Sequence, residues 1–316
     1  KKREDLVLRL SRATMSNWLL VVYRDWLVHI VHRLKLELLK QRYLHIDETH
    51  VQVLKEPGRK NTSDSYMWVY CSIRDAVNPI RYFEYQPGRS GKYPEAFLRE
   101  YEGYIHTDAY SGYNAVSGVK RCLCYTHLRR AFVDALPKDI HNSEASKPAE
   151  AILRLNQLFN IESELEALPP DQKKKERLIR EKPLLEAFWS WAEKSAIGEL
   201  PKSKLSKAFH YALNNREGFW NYLEDGNCSI SNSLAENCIR PFVIGRKNWL
   251  FSGSPKGAEA SAGIYTLVET AKANGLAPMK YIKYILSDMP GSAFLEHPEY
   301  LDDYLPWNPL VKEFCR

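Results

Sequence analysis

The chain has 316 residues, of which 44% are hydrophobic and 12% aromatic, so it is long enough to bury a sizeable core in one large domain or two smaller ones. Its 45 Lys and Arg against 39 Asp and Glu give a formal charge of +6, which suits a polyanionic partner without requiring one. No apolar run approaches the roughly 20 residues of a membrane span, and no signal-peptide stretch follows the start, so a cytoplasmic protein without membrane contact is expected. The six cysteines are sparse and are expected to be reduced thiols.

Residues 1–41 are predicted to form an N-terminal helical segment. Apolar side chains four positions apart, from Trp18 to Leu38, are typical of a long amphipathic helix, with Ser16 or Asn17 as candidate caps. Residues 10–18 allow two interpretations, the tail of a helix-turn-helix or a plain helix start.

Residues 42–136 have the pattern of an α/β core. Three β-branched and aromatic runs at 43–54, 66–74 and 80–86, separated by turn-rich pieces, predict a three-stranded meander. The middle run is apolar on both faces, which predicts a central strand covered on both sides. Further strands at 103–107 and 119–125, alternating with helices, predict a mixed sheet flanked by helices.

The rest of the chain is predicted to be mainly helical. Residues 137–230 combine charge with Leu-rich helical periodicity and are interpreted as an all-helical insertion. Residues 231–288 would complete the core with a helix that carries Glu236, and residues 289–316 would form a C-terminal tail. The glycine-containing stretches 88–91 and 253–257 match neither the phosphate-loop nor the dinucleotide fingerprint, so no nucleotide cofactor is expected.

Two aspartates of the predicted strands are candidate metal ligands. Asp47 is midway along the first predicted strand, in HIDET at 45–49, and a carboxylate there needs a partner because burying it alone is costly. Asp108 closes the strand at 103–107 and, taken alone, fits a turn-capping residue. If that strand lies beside the first one, the two carboxylates meet, and divalent cations would relieve their repulsion.

Glu236 is the third candidate carboxylate. On a helix it shares a face with Arg240, so an exposed ion pair is the simpler interpretation. The basic residues that follow it favour a metal-binding carboxylate beside a phosphate-contacting surface. Three oxygen donors suit Mg²⁺, with Mn²⁺ as a substitute, rather than Zn²⁺, and two ions about 3.5 to 4 Å apart would serve an in-line phosphodiester displacement.

A short cluster of candidate zinc ligands lies between the second and third carboxylates. Cys122, Cys124 and His127 are crowded into six positions with no second Cys or His pair at suitable spacing, so zinc is disfavoured. His127 is interpreted instead as a helix-opening residue that assists proton transfer or contacts phosphate. Candidate DNA-contacting residues are Arg129, Arg130, Arg240, Arg246, Lys247 and Lys256.

From about residue 42 onwards the chain resembles the DDE transposases of the insertion sequence 66 family. The resemblance is carried by four stretches: HIDET at 45–49, HTDAYSGY at 106–113, CYTHLRRAF at 124–132 and SNSLAENCIRPFVIGRKNWLF at 231–251. It implies Asp47, Asp108 and Glu236 as the DDE triad, and a Cys-x-x-His signature at Cys124 and His127. Family members commonly begin with a Cys-rich zinc-binding segment and a helix-turn-helix, of which this sequence shows at most a remnant of the latter.

The resemblance implies a ribonuclease-H-like core that cleaves DNA at transposon ends and joins the freed 3′ ends to target DNA. Partners would be double-stranded DNA, further copies of the chain in the active complex, and accessory proteins. Two alternatives stay open: a nuclease with the same core that does not join strands, and an inactive DNA-binding relative.

Overall fold

The computed structural model describes residues 10–137 and 146–316; residues 1–9 and 138–145, the beginnings of the predicted N-terminal segment and helical insertion, lie outside the described residues. The α-helices are α1 (Arg12–Val22), α2 (Val28–Leu39), α3 (Lys92–Phe97), α4 (Tyr125–Val133), α5 (Lys147–Glu164), α6 (Pro170–Glu176), α7 (Lys182–Ala196), α8 (Lys204–Asn214), α9 (Arg216–Trp220), α10 (Ser233–Trp249), α11 (Pro255–Ala273), α12 (Pro278–Asp288) and α13 (Pro309–Cys315). The strands are β1 (Tyr43–Val53), β2 (Asp64–Ser72), β3 (Arg81–Gln86), β4 (Gly103–Thr107), β5 (Val119–Leu123) and β6 (Phe251–Ser252). Across the described ranges, no helix combines the length and the apolar character needed to cross a membrane.

The strands form one mixed sheet of six, in the order β3-β2-β1-β4-β5, with β6 paired to β1. β2 and β3 are antiparallel, whereas β4 is parallel to both β1 and β5. The predicted mixed α/β sheet is therefore confirmed, and β1, β2 and β3 are neighbours in chain order, as the predicted meander requires. The central position of β2 is confirmed as well, since Met67, Trp68 and Val69 are all fully buried. Strand β6 was not predicted, because two residues are too few to show a period.

The chain divides into two compact units. The first comprises Lys1–Lys40, Glu48–Arg89 and Cys238–Arg316, and the second comprises Gln41–Asp47 and Ser90–Asn237. Helices α5 to α9 fall within the predicted insertion and belong to the second unit. The domain boundaries inferred from the sequence stay predictions.

Helix α1 begins earlier than its expected cap. The Oγ of Ser11 accepts a hydrogen bond of 3.0 Å from the backbone N–H of Thr14, which is the usual N-cap arrangement. The expectation that Ser16 or Asn17 caps this helix was wrong, because both residues lie inside α1 and Ser11 satisfies the first turn.

In the first unit, helix α11 satisfies polar groups of the outermost strand β3. The Oγ1 of Thr266 accepts from the N–H of Phe83 at 2.8 Å, and the Oγ1 of Thr270 accepts from the N–H of Arg81 at 3.1 Å. Threonines four positions apart on a helix present their hydroxyls on one face. The two hydroxyl oxygens therefore accept hydrogen bonds from N–H groups that an edge strand would otherwise leave free to pair with another chain.

In the second unit, a fully buried arginine connects the insertion to the stretch that precedes α10. Arg177 makes a bidentate pair with Glu162, with distances of 2.5 and 2.8 Å. The same guanidinium donates to the carbonyl oxygens of Tyr222, Asp225 and Cys228. Its charge is thus paired and all of its donor nitrogens are used, which is what burial of an arginine requires.

Glu181 predicts a pH-dependent stability. Burial, followed by the charge of Glu162, raises its pKa to about 8, and the hydroxyl of Tyr222 donates to it at 2.6 Å. A carboxyl whose folded pKa lies above its unfolded value destabilises the fold progressively as pH rises towards the folded pKa. The variant Glu181→Gln is neutral at every pH, so its free energy of unfolding relative to the native chain should increase between about pH 5 and pH 9.

Urea denaturation at both pH values measures this difference. The control is Glu164→Gln, which alters an exposed side chain 60% accessible to solvent and should change stability little at either pH. An equal difference between Glu181→Gln and the native chain at both pH values would contradict the prediction.

Candidate active site

The candidate site begins with a His-x-Asp pattern that occurs on two adjacent parallel strands. His45 on β1 is in register with His106 on β4, and their rings stack with centroids 4.2 Å apart and planes inclined by 11°. Asp47 and Asp108 each follow their histidine by two residues, just beyond the last pair of this register. The prediction that the Asp108 strand lies beside the first strand is confirmed.

Hydrogen bonds fix the protonation of the second histidine. The Nε2 of His106 accepts from the backbone N–H of Ser229 at 2.8 Å, and its Nδ1 lies 3.2 Å from the carbonyl oxygen of Leu44. Because a peptide N–H only donates and a carbonyl only accepts, the network assigns the proton to Nδ1. Both ring nitrogens of His106 are therefore engaged within the fold, two residues before Asp108.

Asn232, which is 1% exposed, attaches the beginning of helix α10 to strand β1. Its Nδ2 donates to the carbonyl oxygen of Ile46 at 2.8 Å, and its Oδ1 lies 3.0 Å from the Nδ1 of His45, which must therefore be the donor. Its own carbonyl accepts from the N–H of Glu236 at 3.3 Å. The residue before Asp47 and the first turn bearing Glu236 are thus joined through one side chain.

Glu236 meets His127 and Cys124. Glu236 lies in the first turn of α10 and His127 in the first turn of α4, and the Oε1 of Glu236 is 3.7 Å from the Nδ1 of His127. The Sγ of Cys124 completes a group in which all three atoms lie within 4.8 Å of one another. Each of the two facing atoms, Oε1 and Nδ1, is buried and has no hydrogen-bond partner in the described part of the chain.

A second group of the same kind consists of His106, Cys122 and Cys228. Among the residues that the structure describes, neither group includes Asp47 or Asp108. The three predicted carboxylates therefore do not form a single cluster as tight as 4.8 Å. Strand pairing sets His45 opposite His106, two residues before Asp47 and Asp108, and Asn232 joins the first turn that bears Glu236 to the residue before Asp47.

The loop after β4 is held by its own hydrogen bonds. One carboxylate oxygen of Asp108 accepts from the backbone N–H of Tyr110 at 2.9 Å, so the turn-capping role considered from the sequence is present. Arg121 donates to the hydroxyl of Thr107 at 2.7 Å and to the carbonyl oxygens of Asp108 and Tyr110 at 2.6 and 2.8 Å. These bonds restrict the backbone that carries Asp108.

Tyr211, on helix α8 of the insertion, adds a polar group near the carboxylates. Burial, followed by the charges of Asp108 and Cys124, raises the pKa of Tyr211. Its hydroxyl is buried and lacks a hydrogen-bond partner among the described residues. Burial also raises the pKa of the Cys124 thiol, opposed first by the peptide N–H of Asn232.

The donor set fits divalent cations. Asp47, Asp108 and Glu236 offer carboxylate oxygens, which are the hard ligands preferred by Mg²⁺ and Mn²⁺. The buried Oε1 of Glu236 lacks the hydrogen bond that a buried carboxylate oxygen normally has. The partial exposure of Asp47 and Asp108 leaves an approach for an ion and a substrate.

The predicted DNA-contacting residues differ in how much of their hydrogen-bonding capacity is already used. Arg129 donates to the Oδ1 of Asn156 at 2.7 Å. Arg246 donates to the hydroxyl of Thr49 at 2.9 Å and to the carbonyl of His50, and burial lowers its pKa. The remaining residues are exposed, namely Arg130, Arg240, Lys247 and Lys256.

Four residues of the site were not identified as such from the sequence, namely His45, His106, Asn232 and Tyr211. The two histidines carried a usable signal, because each precedes its aspartate by two positions in HIDET and HTDAYSGY. Asn232 and Tyr211 carried none. Their partners lie far away in the chain, and no local spacing reveals such contacts.

Comparisons with known proteins place the chain among transposase sequences. The model of the family described as "Transposase IS66 family" matches residues 2–260. Two similar proteins from Sinorhizobium fredii (strain NBRC 101917 / NGR234) are named uncharacterized protein y4hP, 28% identical over 84% of this chain and 50% of its own length, and uncharacterized protein y4qI, 28% identical over 97% of this chain and 59% of its own length. The chain thus spans about half to three-fifths of these relatives. No solved structure matches it.

The role of Asn232 predicts a large loss of stability on truncation. Asn232→Ala removes one buried hydrogen bond from the carbonyl of Ile46 and one from the ring N–H of His45, which should lower the free energy of unfolding by roughly 2 to 4 kcal/mol. Chemical denaturation measures it. The control is Asn114→Ala, which removes an exposed amide bonded to Arg121 and should cost under about 1 kcal/mol because water replaces the lost bond. Equal losses in the two variants would refute the assigned role.

Proposed function

The chain belongs to the IS66 transposase family, and from this premise we propose that it is a DDE-type transposase with a ribonuclease-H-like core. It would cleave DNA at transposon ends and join the freed 3′ ends to target DNA. The observation that carries the proposal is the parallel pairing of β1 with β4, in which His45 lies opposite His106, two residues before Asp47 and Asp108 respectively. The mixed sheet and the attachment of the Glu236 helix to β1 through Asn232 support the same conclusion.

The three carboxylates would act together as metal ligands. Asp47, Asp108 and Glu236 would hold Mg²⁺, with Mn²⁺ as a substitute, and such ions supply charge neutralisation for an in-line displacement at phosphorus. Asp47 lies on β1, and Asp108 directly follows β4 in a loop whose backbone is held by Arg121, so both carboxylates stand on restricted backbone.

The third carboxylate has a neighbour suited to phosphate or proton chemistry. His127 is about one quarter exposed, so part of its ring can reach a bound strand. In the proposed enzyme it would contact a phosphate or move a proton. Because it lies one turn into α4, the partial positive charge of that helix end favours an anionic group nearby.

DNA binding would use the basic side chains that follow the site residues in sequence. These are Arg129, Arg130, Arg240, Arg246, Lys247 and Lys256. Contacts to phosphates release counterions, so affinity should fall steeply with salt. Further copies of the chain and accessory proteins would complete the active complex.

Conservative substitutions of the carboxylates test the proposed chemistry. Asp47→Asn, Asp108→Asn and Glu236→Gln keep the size of each side chain but remove its charge, so cleavage and joining should each fall at least about 100-fold. The assay is DNA cleavage and strand transfer with Mg²⁺ on duplexes carrying the ends of the element. Asp134→Asn, at an exposed position just after α4, is the matched control and should retain activity.

The products separate the proposed function from its alternatives. Joined products in the native chain and none in the three variants support a transposase. Cleavage without joining would instead identify a nuclease with the same core. Full activity in any one of the three variants would remove that residue from the catalytic set.

A further inference from the structure

The group formed by Cys124, His127 and Glu236 has features that the proposed Mg²⁺ chemistry does not explain. Its three ligand atoms, Sγ, Nδ1 and Oε1, all lie within 4.8 Å of one another. They come from the beginnings of two helices, α4 and α10, that are far apart in the sequence. A magnesium ion selects oxygen ligands, so a thiol and an imidazole serve no purpose for it.

Two of the three ligand atoms lack a hydrogen-bond partner among the described residues. The Nδ1 of His127 and the Oε1 of Glu236 are buried without a hydrogen bond to any described residue, whereas buried polar atoms are normally paired. Their separation of 3.7 Å is too long for a hydrogen bond between them. Two ligands bound at about 2.1 Å to one tetrahedral ion are about 3.3 to 3.6 Å apart, so a shared ion needs only a slight approach.

The chemistry of the three donors selects a class of ion. One thiolate, one imidazole and one carboxylate are a borderline-soft set, which favours Zn²⁺ and similar transition metals over Mg²⁺ or Ca²⁺. The two negative charges of Cys124 and Glu236 would balance a divalent ion while the imidazole stays neutral. Three protein ligands leave one position of a tetrahedron open, and the partly exposed side chains of His127 and Glu236 provide a path for entry.

The surroundings hold the ligands in place. The backbone N–H of Asn232 donates to the Sγ of Cys124 at 3.1 Å, and the N–H of Tyr125 donates to the carbonyl of Ile230 at 3.0 Å. Such outer contacts orient metal ligands and stabilise a thiolate. The ends of α4 and α10 that carry the ligands are both N-terminal, where partial positive charge favours anionic ligands.

The second group does not offer the same possibility. Both ring nitrogens of His106 are engaged, with Leu44 and with Ser229, so the histidine cannot bind an ion without breaking a buried hydrogen bond. His106, Cys122 and Cys228 are all buried, which leaves no path for an ion. This group therefore serves as an internal comparison.

We propose that Cys124, His127 and Glu236 form a binding site for one Zn²⁺ ion. Sequence spacing missed this site because its third ligand comes from a distant helix. Binding itself does not require strand transfer. The consequence that the ion fixes the Glu236 carboxylate, and that Nδ1 of His127 is then unable to carry a proton, rests on the proposed function.

Cobalt titration of the full chain tests the site, with Co²⁺ as the spectroscopic probe for zinc. After chelation and removal of bound metal, one Co²⁺ per chain should bind and give thiolate-to-cobalt charge-transfer absorption together with the visible bands of tetrahedral cobalt. Cys124→Ser should abolish the charge-transfer band. His127→Gln and Glu236→Gln should keep a weaker band and weaken binding at least about 10-fold.

Cys122→Ser is the matched control, because it alters a buried cysteine two positions away that belongs to the second group, and it should leave the cobalt spectrum unchanged. Circular dichroism verifies folding. If Cys124→Ser is unfolded, the cobalt spectrum of His127→Gln tests the site instead: a weaker band with weaker binding supports it, and an unchanged spectrum overturns it. Absence of charge-transfer absorption in the native chain overturns the proposal. A band that is lost in Cys122→Ser but kept in Cys124→Ser overturns it too.

Strand transfer measured in parallel separates this proposal from the proposed function. A native chain that shows the Cys124-dependent cobalt spectrum but joins no DNA retains the metal site and contradicts the transposase. A chain that joins DNA with Mg²⁺ but gives no cobalt spectrum retains the transposase and contradicts the zinc site.

Discussion

The architecture of the site depends on the hydrogen bonds of one buried side chain, Asn232. It connects the β1 backbone just before Asp47, the ring of His45, and, through its own N–H, the sulfur of Cys124. An amide is the side chain suited to this position, since it donates and accepts at once. An apolar residue there would leave several buried groups unsatisfied, and Glu236 would lose its fixed relation to strand β1.

The helical insertion contributes to the same arrangement. Arg177 holds the carbonyl groups of residues 222, 225 and 228, and Ser229 then bonds to His106. The stretch that leads to α10 is thus hydrogen-bonded at several successive residues to Arg177 and His106, which both belong to the second unit. The insertion therefore does more than lengthen the chain between Asp108 and Glu236. Its hydrogen bonds hold the stretch from which the helix of Glu236 begins.

Local patterns predicted the elements whose partners lie nearby or follow from periodicity. The strands β1 to β3 were predicted to within two residues at each end. The zinc ligands show the limit of such patterns. Cys122 and Cys124 look equivalent in sequence, yet Cys122 lies in β5 whereas Cys124 lies beyond its end, at the N-cap of α4, and the two belong to different groups. Only the folded chain adds Glu236 to Cys124 and His127, and Asn232 to His45.

The central claim is that Asp47, Asp108 and Glu236 serve one catalytic centre, whose two aspartates each lie two residues after a histidine of the paired strands β1 and β4. Anomalous X-ray diffraction from crystals soaked in Mn²⁺ measures this most directly. The account predicts manganese bound by the carboxylates of Asp47 and Asp108, with Glu236 in the coordination shell of the same ion or of a neighbour about 4 Å away. Manganese found elsewhere, with both aspartates free of metal, would contradict it.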